Sequence, residues 1–316
     1  MVKDATAGDP VSGITWTRKT LRAISVELRA AGFKVGHVTV RRLLIDEGYR
    51  LRTNRKRLTK SSNPDRDEQM RYIAQTRRTH LQAKKPVISV DTKQRELVGN
   101  FKNDGRTWRK QAVDVLSTDY PNDAEGVAIP YGVYDVARNE GFMAVGTSHQ
   151  TAQFAVAAIR VWWLTTGCQR YPGLAQRALL IEADSGGANA ARSWLWKYEL
   201  QTLADECRLT ITVTHLPTGA SKWNPIEHRL FCHVTRNWAG QPLINYDTVL
   251  NFIRTTKTLP GLQCQAWLDQ TDYSTGLKIT AEQRLHINLK PHRVLPKWNY
   301  TIRPRRLRPA KSSTCT

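Results

Sequence analysis

Three acidic residues stand where their carboxylates could bind divalent metal together. Asp91 follows the apolar run at 86–90, and Asp184 follows a second run at 178–183. Glu227 lies near the start of a predicted apolar helix. A carboxylate just past a buried strand has a fixed backbone and a side chain at the edge of the sheet. Three such anions would repel one another unless divalent cations lay between them. The pattern therefore predicts a site for metal-assisted phosphoryl transfer.

Each of these acids also has a structural explanation. Asp91 could be a turn residue at the end of its strand, and Asp184 could cap the next helix. Glu227 could be a first-turn acid favoured by the helix dipole. Glu182 faces the same side of its strand as Asp184, and we favour a solvated acid there over an auxiliary acid of the site. Asp135 is expected to be a turn group. Because three acids recur on suitable elements, the metal site is the stronger interpretation.

The other residues that could do chemistry give weaker patterns. His228 and Cys232 are four residues apart and close to His233, but such a pair is expected to pack rather than to bind metal. His215 follows a strand, and could contact DNA phosphate or a metal-bound water, or be a hydrogen-bonded residue at a sheet edge. The chain has no GxSxG elbow, no P-loop and no GxGxxG followed by an acid. These absences argue against serine hydrolase, ATP and dinucleotide chemistry.

The elements that must position the three acids begin at residue 86, where the sequence changes to short β-rich runs. Strands are predicted at 86–91, 127–136, 141–147, 178–183 and 209–214, with helices at 151–166, at 189–206 and around Glu227. Three early strands followed by β–α alternation match an α/β fold with a ribonuclease H-like, retroviral integrase-like catalytic core. In that fold the first strand, the fourth strand and a late helix bring acidic residues together. The three carboxylates occupy those elements.

The N-terminal region predicts two short helices. The stripe Leu21, Ile24, Leu28 and Ala31 indicates a helix over 17–31, and a second helix begins near residue 37. This pattern resembles a helix-turn-helix unit. The predicted DNA-contacting side chains are Arg41, Arg42, Arg50, Arg52, Arg55, Lys56, Arg57 and Lys60. A helical scaffold without DNA contact and a solvated basic linker are the alternatives.

Charge is concentrated at the two ends of the chain. Of the total of +21, residues 1–86 carry 20 Lys/Arg against 8 Asp/Glu, a net charge of +12. Residues 287–316 carry 8 Lys/Arg and no acid, a net charge of +8. The residues between hold 20 against 19 and are almost neutral. Two basic ends on a neutral centre favour a polyanionic partner such as double-stranded DNA, although the C-terminal tail could simply be solvated.

Composition and length set the remaining expectations. The 316 residues suffice for one large domain and one or two small ones. We expect a DNA-binding region and basic connector at 1–60, a linker helix within 61–85, a catalytic core at 86–245 and a C-terminal region with a basic tail at 246–316. The sequence contains no membrane-length apolar run and no apolar signal core. Its five cysteines lack a CxxC pair. A reduced cytoplasm is expected.

Several segments together resemble one family. They are GDPVSGITWT (8–17), NPDRDEQMRYI (63–73), ISVDTKQRELVGNFKN (88–103), AIPYGVYDVARNEGF (128–142), LIEADSGGAN (180–189), HLPTGASKWNPIEHRLF (215–231) and WNYTI (298–302). They look like the bacterial insertion-sequence DDE transposases of the Rhodopirellula type, the ISAzo group. The resemblance implies that Asp91, Asp184 and Glu227 bind two Mg²⁺ or Mn²⁺ ions. It also implies cleavage at element ends, transfer of the 3′-hydroxyl into target DNA, and a homodimer or larger assembly on DNA.

The sequence departs from the family in three places. Members usually carry a longer region before the segment matching GDPVSGITWT. Either a truncated copy or a misassigned start would explain the difference, and one DNA-reading element could be absent from this chain. The residues from Arg303 onward run past the matching motifs, and Ser185 stands where the family tends to have glycine. Two alternatives follow. One is a ribonuclease H-like nuclease that cuts without joining, and the other is an N-terminally truncated, inactive or regulatory DNA-binding copy.

Overall fold

The computed structural model describes the backbone of residues 6–8, 15–17, 19–52, 64–173 and 177–305. Side chains are described from residue 19 onward in the same ranges, apart from residue 221. The chain divides into two compact units, Met1–Lys60 and Ser61–Thr316.

The first unit contains two short strands followed by two helices. Strands β1 (Thr6–Gly8) and β2 (Thr15–Thr17) pair antiparallel. Helix α1 (Leu21–Ala30) begins after Thr20, whose hydroxyl accepts a hydrogen bond from the Ala23 backbone N–H at 3.1 Å. Helix α2 (His37–Asp46) follows after a short connection. Ile24 and Val40 are the buried apolar residues of α1 and α2.

The second unit is built on one mixed sheet. Its strands are β3 (Val87–Thr92), β4 (Glu96–Val98), β5 (Gly126–Asp135), β6 (Glu140–Gly146), β7 (Ala178–Ala183), β8 (Thr210–His215), β9 (Gln263–Asp269), β10 (Leu289–Pro291) and β11 (Asn299–Ile302). The order across the sheet is β10-β11-β8-β7-β3-β5-β6-β9, and β4 pairs with β5. Strand β3 is central, antiparallel to β5 and parallel to β7. The predicted mixed α/β fold around a central sheet is therefore confirmed.

Helices cover both faces of this sheet. They are α3 (Arg66–Gln82), α4 (Ala152–Trp162), α5 (Cys168–Arg170), α6 (Trp194–Cys207), α7 (Cys232–Trp238), α8 (Tyr246–Thr255) and α9 (Ala281–Leu285). Side chains of α4 and α6 pack with Ile88, Val90 and the other residues of one sheet face. Residues of α7 and α8 form a second core on the opposite face. Because side chains alternate along a strand, Ser89 and Asp91 point toward the α7 face.

The C-terminal region contributes strands to both edges of the sheet. Strand β9 pairs parallel to β6, and β11 pairs antiparallel to β8. The sequence analysis placed these residues outside the core at 86–245, but they extend its sheet. The sequence did not reveal this because the partners of β9 and β11, namely β6 and β8, lie far away along the chain, and the burial pattern of β9 is irregular.

Two predicted helix bounds differ from the structure. Helix α4 ends at Trp162 and continues as a π-helical turn at Trp163–Gly167. Helix α6 begins at Trp194 rather than near 189, because Ser193 caps it by accepting from the Trp196 N–H at 3.2 Å. Within the described ranges, no helix is both long and apolar enough to cross a membrane.

Candidate active site

Asp91 is the next-to-last residue of the central strand, β3, and lies at its C-terminal end. It pairs in register with Gly132 of β5. One carboxylate oxygen, Oδ1, accepts a hydrogen bond from the Thr92 backbone N–H at 2.8 Å. The other, Oδ2, accepts from the Asn224 amide at 3.2 Å. Both carboxylate oxygens therefore have fixed positions, although each still has lone pairs to offer a cation.

Asp184 is the first residue after β7, which neighbours β3 in parallel. Its carboxylate is hydrogen-bonded by the Gly186 backbone N–H and by the Asn189 side chain. The side-chain oxygen of Asn189, Oδ1, accepts a hydrogen bond from the buried Tyr131 hydroxyl at 2.7 Å. This bond orients the Asn189 side-chain amide. The possibility that Asp184 caps the following helix is wrong, because Ser193 is the cap of α6.

Glu227 begins a π-helical turn, Glu227–Phe231, that leads directly into α7. Such turns are often found at functional sites because they shift the register of helical side chains. The flanking Ile226 and Phe231 are buried over Gly132. A Cβ at Gly132 would lie 2.5 Å from Phe231 Cε1 and 2.7 Å from Ile226 Cδ1. The absence of a side chain at Gly132 thus lets the Glu227 turn approach the strand position opposite Asp91.

Asn224 connects the first and third of these acidic elements. Its side chain is fully buried. Its oxygen accepts from the Ser89 hydroxyl at 2.5 Å, and its nitrogen donates to Asp91. The Ser89 hydroxyl in turn accepts from the Ile226 N–H at 3.2 Å. These bonds tie β3 to the segment that precedes Glu227 across more than 130 residues of sequence.

The three carboxylates influence one another electrostatically. Burial first, and the Asp184 charge second, raise the pKa of Asp91 to about 7. Burial raises the pKa of Asp184 to about 6, and the Glu227 charge adds to this. Burial also raises the pKa of Glu227, against the charges of His228 and Lys93. In the part of the chain described, none of the three forms an ion pair. The site therefore holds anionic groups that would gain by binding a cation.

The three carboxylates suit a hard divalent cation, since carboxylate oxygens are the ligands that Mg²⁺ prefers. Over the described ranges, however, no three His, Cys, Asp or Glu side chains stand close enough to hold one ion as they are. The chemistry of the residues fits divalent metal, while the side chains would have to close around it.

The expectation that Glu182 is a solvated acid is wrong. It is fully buried, two residues before Asp184 on the same face. Its carboxylate accepts two hydrogen bonds from the Arg77 guanidinium of α3, at 2.7 and 2.6 Å. Burial raises the pKa of Glu182, and Arg77 opposes this. Glu182 thus anchors the α3 helix on the sheet.

The remaining acid and metal-ligand candidates are satisfied within the protein. Asp135 accepts from the backbone N–H groups of Ala137 and Arg138, as expected of a turn residue. The Cys232 thiol donates to the His228 backbone carbonyl at 3.1 Å, a hydrogen bond along the helix. His215 is fully buried with both ring nitrogens hydrogen-bonded, which removes it from contact with DNA phosphate.

Lys93 is a residue that the sequence analysis missed. It lies two positions after Asp91 and is buried against the Trp238 ring, with Nζ 4.4 Å from the ring centroid. Its ammonium also pairs with Glu96 at 2.5 Å. Its charge lowers the pKa of Glu227. The only signal in the sequence was its place directly after the strand that carries Asp91.

The predicted DNA-contacting residues fall in the first unit. Arg41, Arg42 and Arg52 are exposed. The Arg50 guanidinium donates to the carbonyls of Ile45 and Tyr49, at 2.7 and 2.9 Å, and so caps the end of α2. The other predicted residues, Arg55, Lys56, Arg57 and Lys60, lie outside the described residues, as does the basic tail from 306 onward.

Comparisons with known proteins identify the family. Among solved structures, a Mos1 transposase paired-end complex with the left transposon end is similar at 12% identity and a TM-score of 0.42, over 74% of this chain and 65% of that chain. A pre-cleavage Mos1 transpososome is similar at 13% identity and a TM-score of 0.43, over 74% and 65%. The chain thus spans less than two thirds of the length of either. A comparison with curated protein sequences finds no match. The family profile described as Rhodopirellula transposase DDE domain matches residues 1–304, and the chain belongs to this family of DDE transposases.

Proposed function

We propose that this protein is the transposase of an insertion sequence. It cuts DNA at the ends of its element and joins the freed 3′-hydroxyl to target DNA. The observation that carries this proposal is the convergence of Asp91, Asp184 and Glu227, three acids from distant elements. The Glu227 charge adds to the raised pKa of both aspartates, and none of the three has an ion-pair partner among the described residues. Family membership supplies the reaction class.

In this proposal the three carboxylates hold divalent metal, Mg²⁺ or Mn²⁺, as two ions. Bound there, the metal would activate the attacking hydroxyl and neutralise charge on the attacking and leaving oxygens. Asn224 and the Thr92 N–H hold the Asp91 carboxylate in one orientation, and Asn189 and the Gly186 N–H do the same for Asp184. Fixed ligand positions reduce the reorganisation that metal binding requires. Glu227, partly buried and flanked by Lys93, would complete the site from the α7 side.

The strand order supports a ribonuclease H-like catalytic core. Numbered along the chain, the five central strands β3, β5, β6, β7 and β8 lie in the order 3-2-1-4-5, with the second antiparallel to the first. Asp91 lies near the end of the first of these strands along the chain, and Asp184 directly follows the fourth. The carboxyl ends of parallel neighbours meet at one edge of the sheet. The late helix then brings Glu227 to the same edge.

The first test is a Mg²⁺-dependent cleavage and strand-transfer assay on DNA from the end of the encoding element. Wild type would be compared with Asp184→Asn, and with Glu182→Gln as a matched acid on the same strand. Metal-dependent cutting and joining that Asp184→Asn loses and Glu182→Gln keeps would support the proposal. Cutting without joining would indicate a nuclease. DNA binding with no cutting by wild type would indicate a regulatory or inactive copy.

We further propose that the helices of the first unit form a helix-turn-helix that binds element-end DNA. The exposed Arg41 and Arg42 on α2 support this, since each is free to reach phosphate or base edges. Arg41→Ala or Arg42→Ala should each lower the slope of log affinity against log salt by about 1 if it contacts phosphate. Arg160→Ala is the control, because that guanidinium is paired with Glu206 at 2.6 Å. Equal slopes for all variants would contradict the assignment.

Assembly and location follow from the proposed reaction. Two element ends must be held together for transposition, which calls for a homodimer or a larger assembly on DNA. Cleavage and joining of bacterial chromosomal DNA would require the protein to be at the nucleoid. Light scattering of the protein with and without end DNA would test the assembly, and a monomer on a single DNA end throughout would contradict it.

A further inference from the structure

A line of hydrogen bonds runs from the C-terminal strand β11 to the backbone of Asp184. The Trp196 indole Nε1 of α6 lies 2.9 Å from the Tyr300 hydroxyl. That hydroxyl lies 3.0 Å from Nε2 of His215. The other ring nitrogen, Nδ1, lies 2.9 Å from the Asp184 carbonyl oxygen. All three side chains are almost completely buried. Tyr300 belongs to the WNYTI segment, which the proposed chemistry does not otherwise use.

Only one arrangement of protons allows all three of these hydrogen bonds with a neutral His215 ring. An indole N–H can only donate, and a backbone carbonyl can only accept. The Asp184 carbonyl therefore requires the proton on His215 Nδ1, which leaves Nε2 as an acceptor for the Tyr300 hydroxyl. Tyr300 in turn accepts from Trp196. Burial lowers the pKa of His215 to about 4, which agrees with a neutral ring that carries a single proton.

The line ends where regular sheet pairing stops. The Leu216 N–H donates to the Ala183 carbonyl at 2.8 Å, the last backbone bond between the segments of β7 and β8. The next carbonyl, that of Asp184, is held by the His215 side chain instead. Beyond it come Ser185, Gly186 and Gly187, and Gly187 has a φ of +58° that a side chain would disfavour. His215 thus holds the backbone at the boundary between a rigid strand and a glycine loop.

We propose that His215, kept in one tautomer by Tyr300, is a positioning residue that fixes the backbone of Asp184 and so directs its carboxylate toward the metal. His215 does not touch substrate or metal in this role. The metal part of the inference rests on the proposed function. The backbone part does not, and it can be tested on the protein without metal.

The test uses four variants of the full chain. His215→Leu removes the donor to Asp184, and His215→Asn restores a donor amide near the position of Nδ1. Tyr300→Phe keeps the ring and its packing but removes the hydroxyl that selects the tautomer. Thr212→Val is the matched control, because the Thr212 hydroxyl lies 3.1 Å from that of Thr301 and links the same two strands without reaching Asp184.

The first readout is amide hydrogen exchange of a peptide spanning 185–190, measured without metal. Loss of one hydrogen bond worth roughly 1 kcal/mol should speed exchange there about 5- to 10-fold in His215→Leu. A smaller increase is expected in Tyr300→Phe and near wild-type exchange in His215→Asn and Thr212→Val. Unchanged exchange in both His215→Leu and Tyr300→Phe, or equal acceleration in Thr212→Val, would overturn the inference.

The second readout is Mn²⁺ binding by titration calorimetry. We expect His215→Leu to bind about 10-fold more weakly than wild type, as is common when a group supporting a metal ligand is lost. His215→Asn should recover most of this affinity. Equal Mn²⁺ affinity of wild type and His215→Leu would overturn the metal part. If wild type itself bound no Mn²⁺, the proposed function would fail, while the exchange measurement would still decide the role of His215.

Discussion

Glu182 and Asp184 stand two residues apart, on the same strand segment and the same face of the sheet, yet their surroundings differ. Glu182 is fully buried and receives two hydrogen bonds from Arg77. Asp184 receives only neutral donors, from Gly186 and Asn189, and faces the charge of Glu227. One acid is neutralised within the chain, and the other is left as part of an anionic group.

This contrast separates structural from functional acids. A buried carboxylate that serves the fold has its charge balanced within the chain, by a cation as in Glu182 or by several hydrogen-bond donors as in Asp135, because an unpaired buried charge destabilises the protein. Asp91 and Asp184 have no cation partner among the described residues. Burial raises the pKa of both, and neighbouring acids of the site add to this. An arrangement that costs stability and is relieved by an external cation is typical of metal-binding catalytic sites.

The largest expected effect concerns cleavage. Replacing Asp91 or Asp184 with Asn should lower the single-turnover cleavage rate by about 1000-fold or more, roughly 4 kcal/mol of barrier, because each is a metal ligand in the proposed function. Glu182→Gln should stay within about 10-fold, since a glutamine can still accept from Arg77. DNA binding, measured separately at fixed salt, should be retained in all three. An equal loss of cleavage in Glu182→Gln would erase the distinction between the two acids.

The next effect concerns stability at the paired acid. Arg77→Leu should destabilise the protein by roughly 2–4 kcal/mol at pH 8, because it leaves Glu182 buried and charged. The loss should shrink as pH falls, since burial raises the pKa of Glu182 and protonation removes the unpaired charge. Urea unfolding at pH 8 and pH 5 would measure this. Arg160→Leu, which breaks an exposed pair, is the control and should cost under about 1 kcal/mol at either pH.

For a variant of Asp91, the expected change in stability has the opposite sign. The pKa of Asp91 is raised to about 7, so its ionisation opposes folding, and wild type loses stability as pH rises from about 4 to 7. Without metal, Asp91→Asn should therefore be more stable than wild type by roughly 1–2 kcal/mol at pH 8, and by little at pH 4. Thermal melts in chelator across this range would show it. Added Mg²⁺ should reverse the order, and a difference independent of pH would contradict the electrostatic account.

A smaller effect on cleavage tests how packing places the third acid, Glu227. Gly132→Ala would press a methyl group on Ile226 and Phe231, on both sides of Glu227. We expect about 10-fold slower cleavage and a loss of roughly 1–3 kcal/mol of stability. Gly146→Ala is the control, since its Cβ would meet Phe154 at 2.8 Å on the other face of the sheet. Similar destabilisation with unchanged cleavage in Gly146→Ala would sharpen the assignment, whereas equal loss of cleavage in both would contradict it.

The sequence by itself determined which elements carry the three acids. The apolar runs before Asp91 and Asp184 form strands because four and five consecutive buried residues, respectively, suit a central, two-sided sheet position. The strand predicted at 178–183 has those bounds in the structure. The mixed α/β class follows from the same alternation of short runs and helices.

Only the tertiary structure decided how those acids are surrounded. Glu182 and Asp184 look alike in sequence, and their difference depends on Arg77, more than 100 residues away, which reaches one and not the other. The edge strands β9, β10 and β11 are too short or too irregular to predict, and Tyr300 meets His215 only because β11 pairs with β8. Local patterns report how each segment is buried, whereas the choice of partner is made by packing between segments that are distant along the chain.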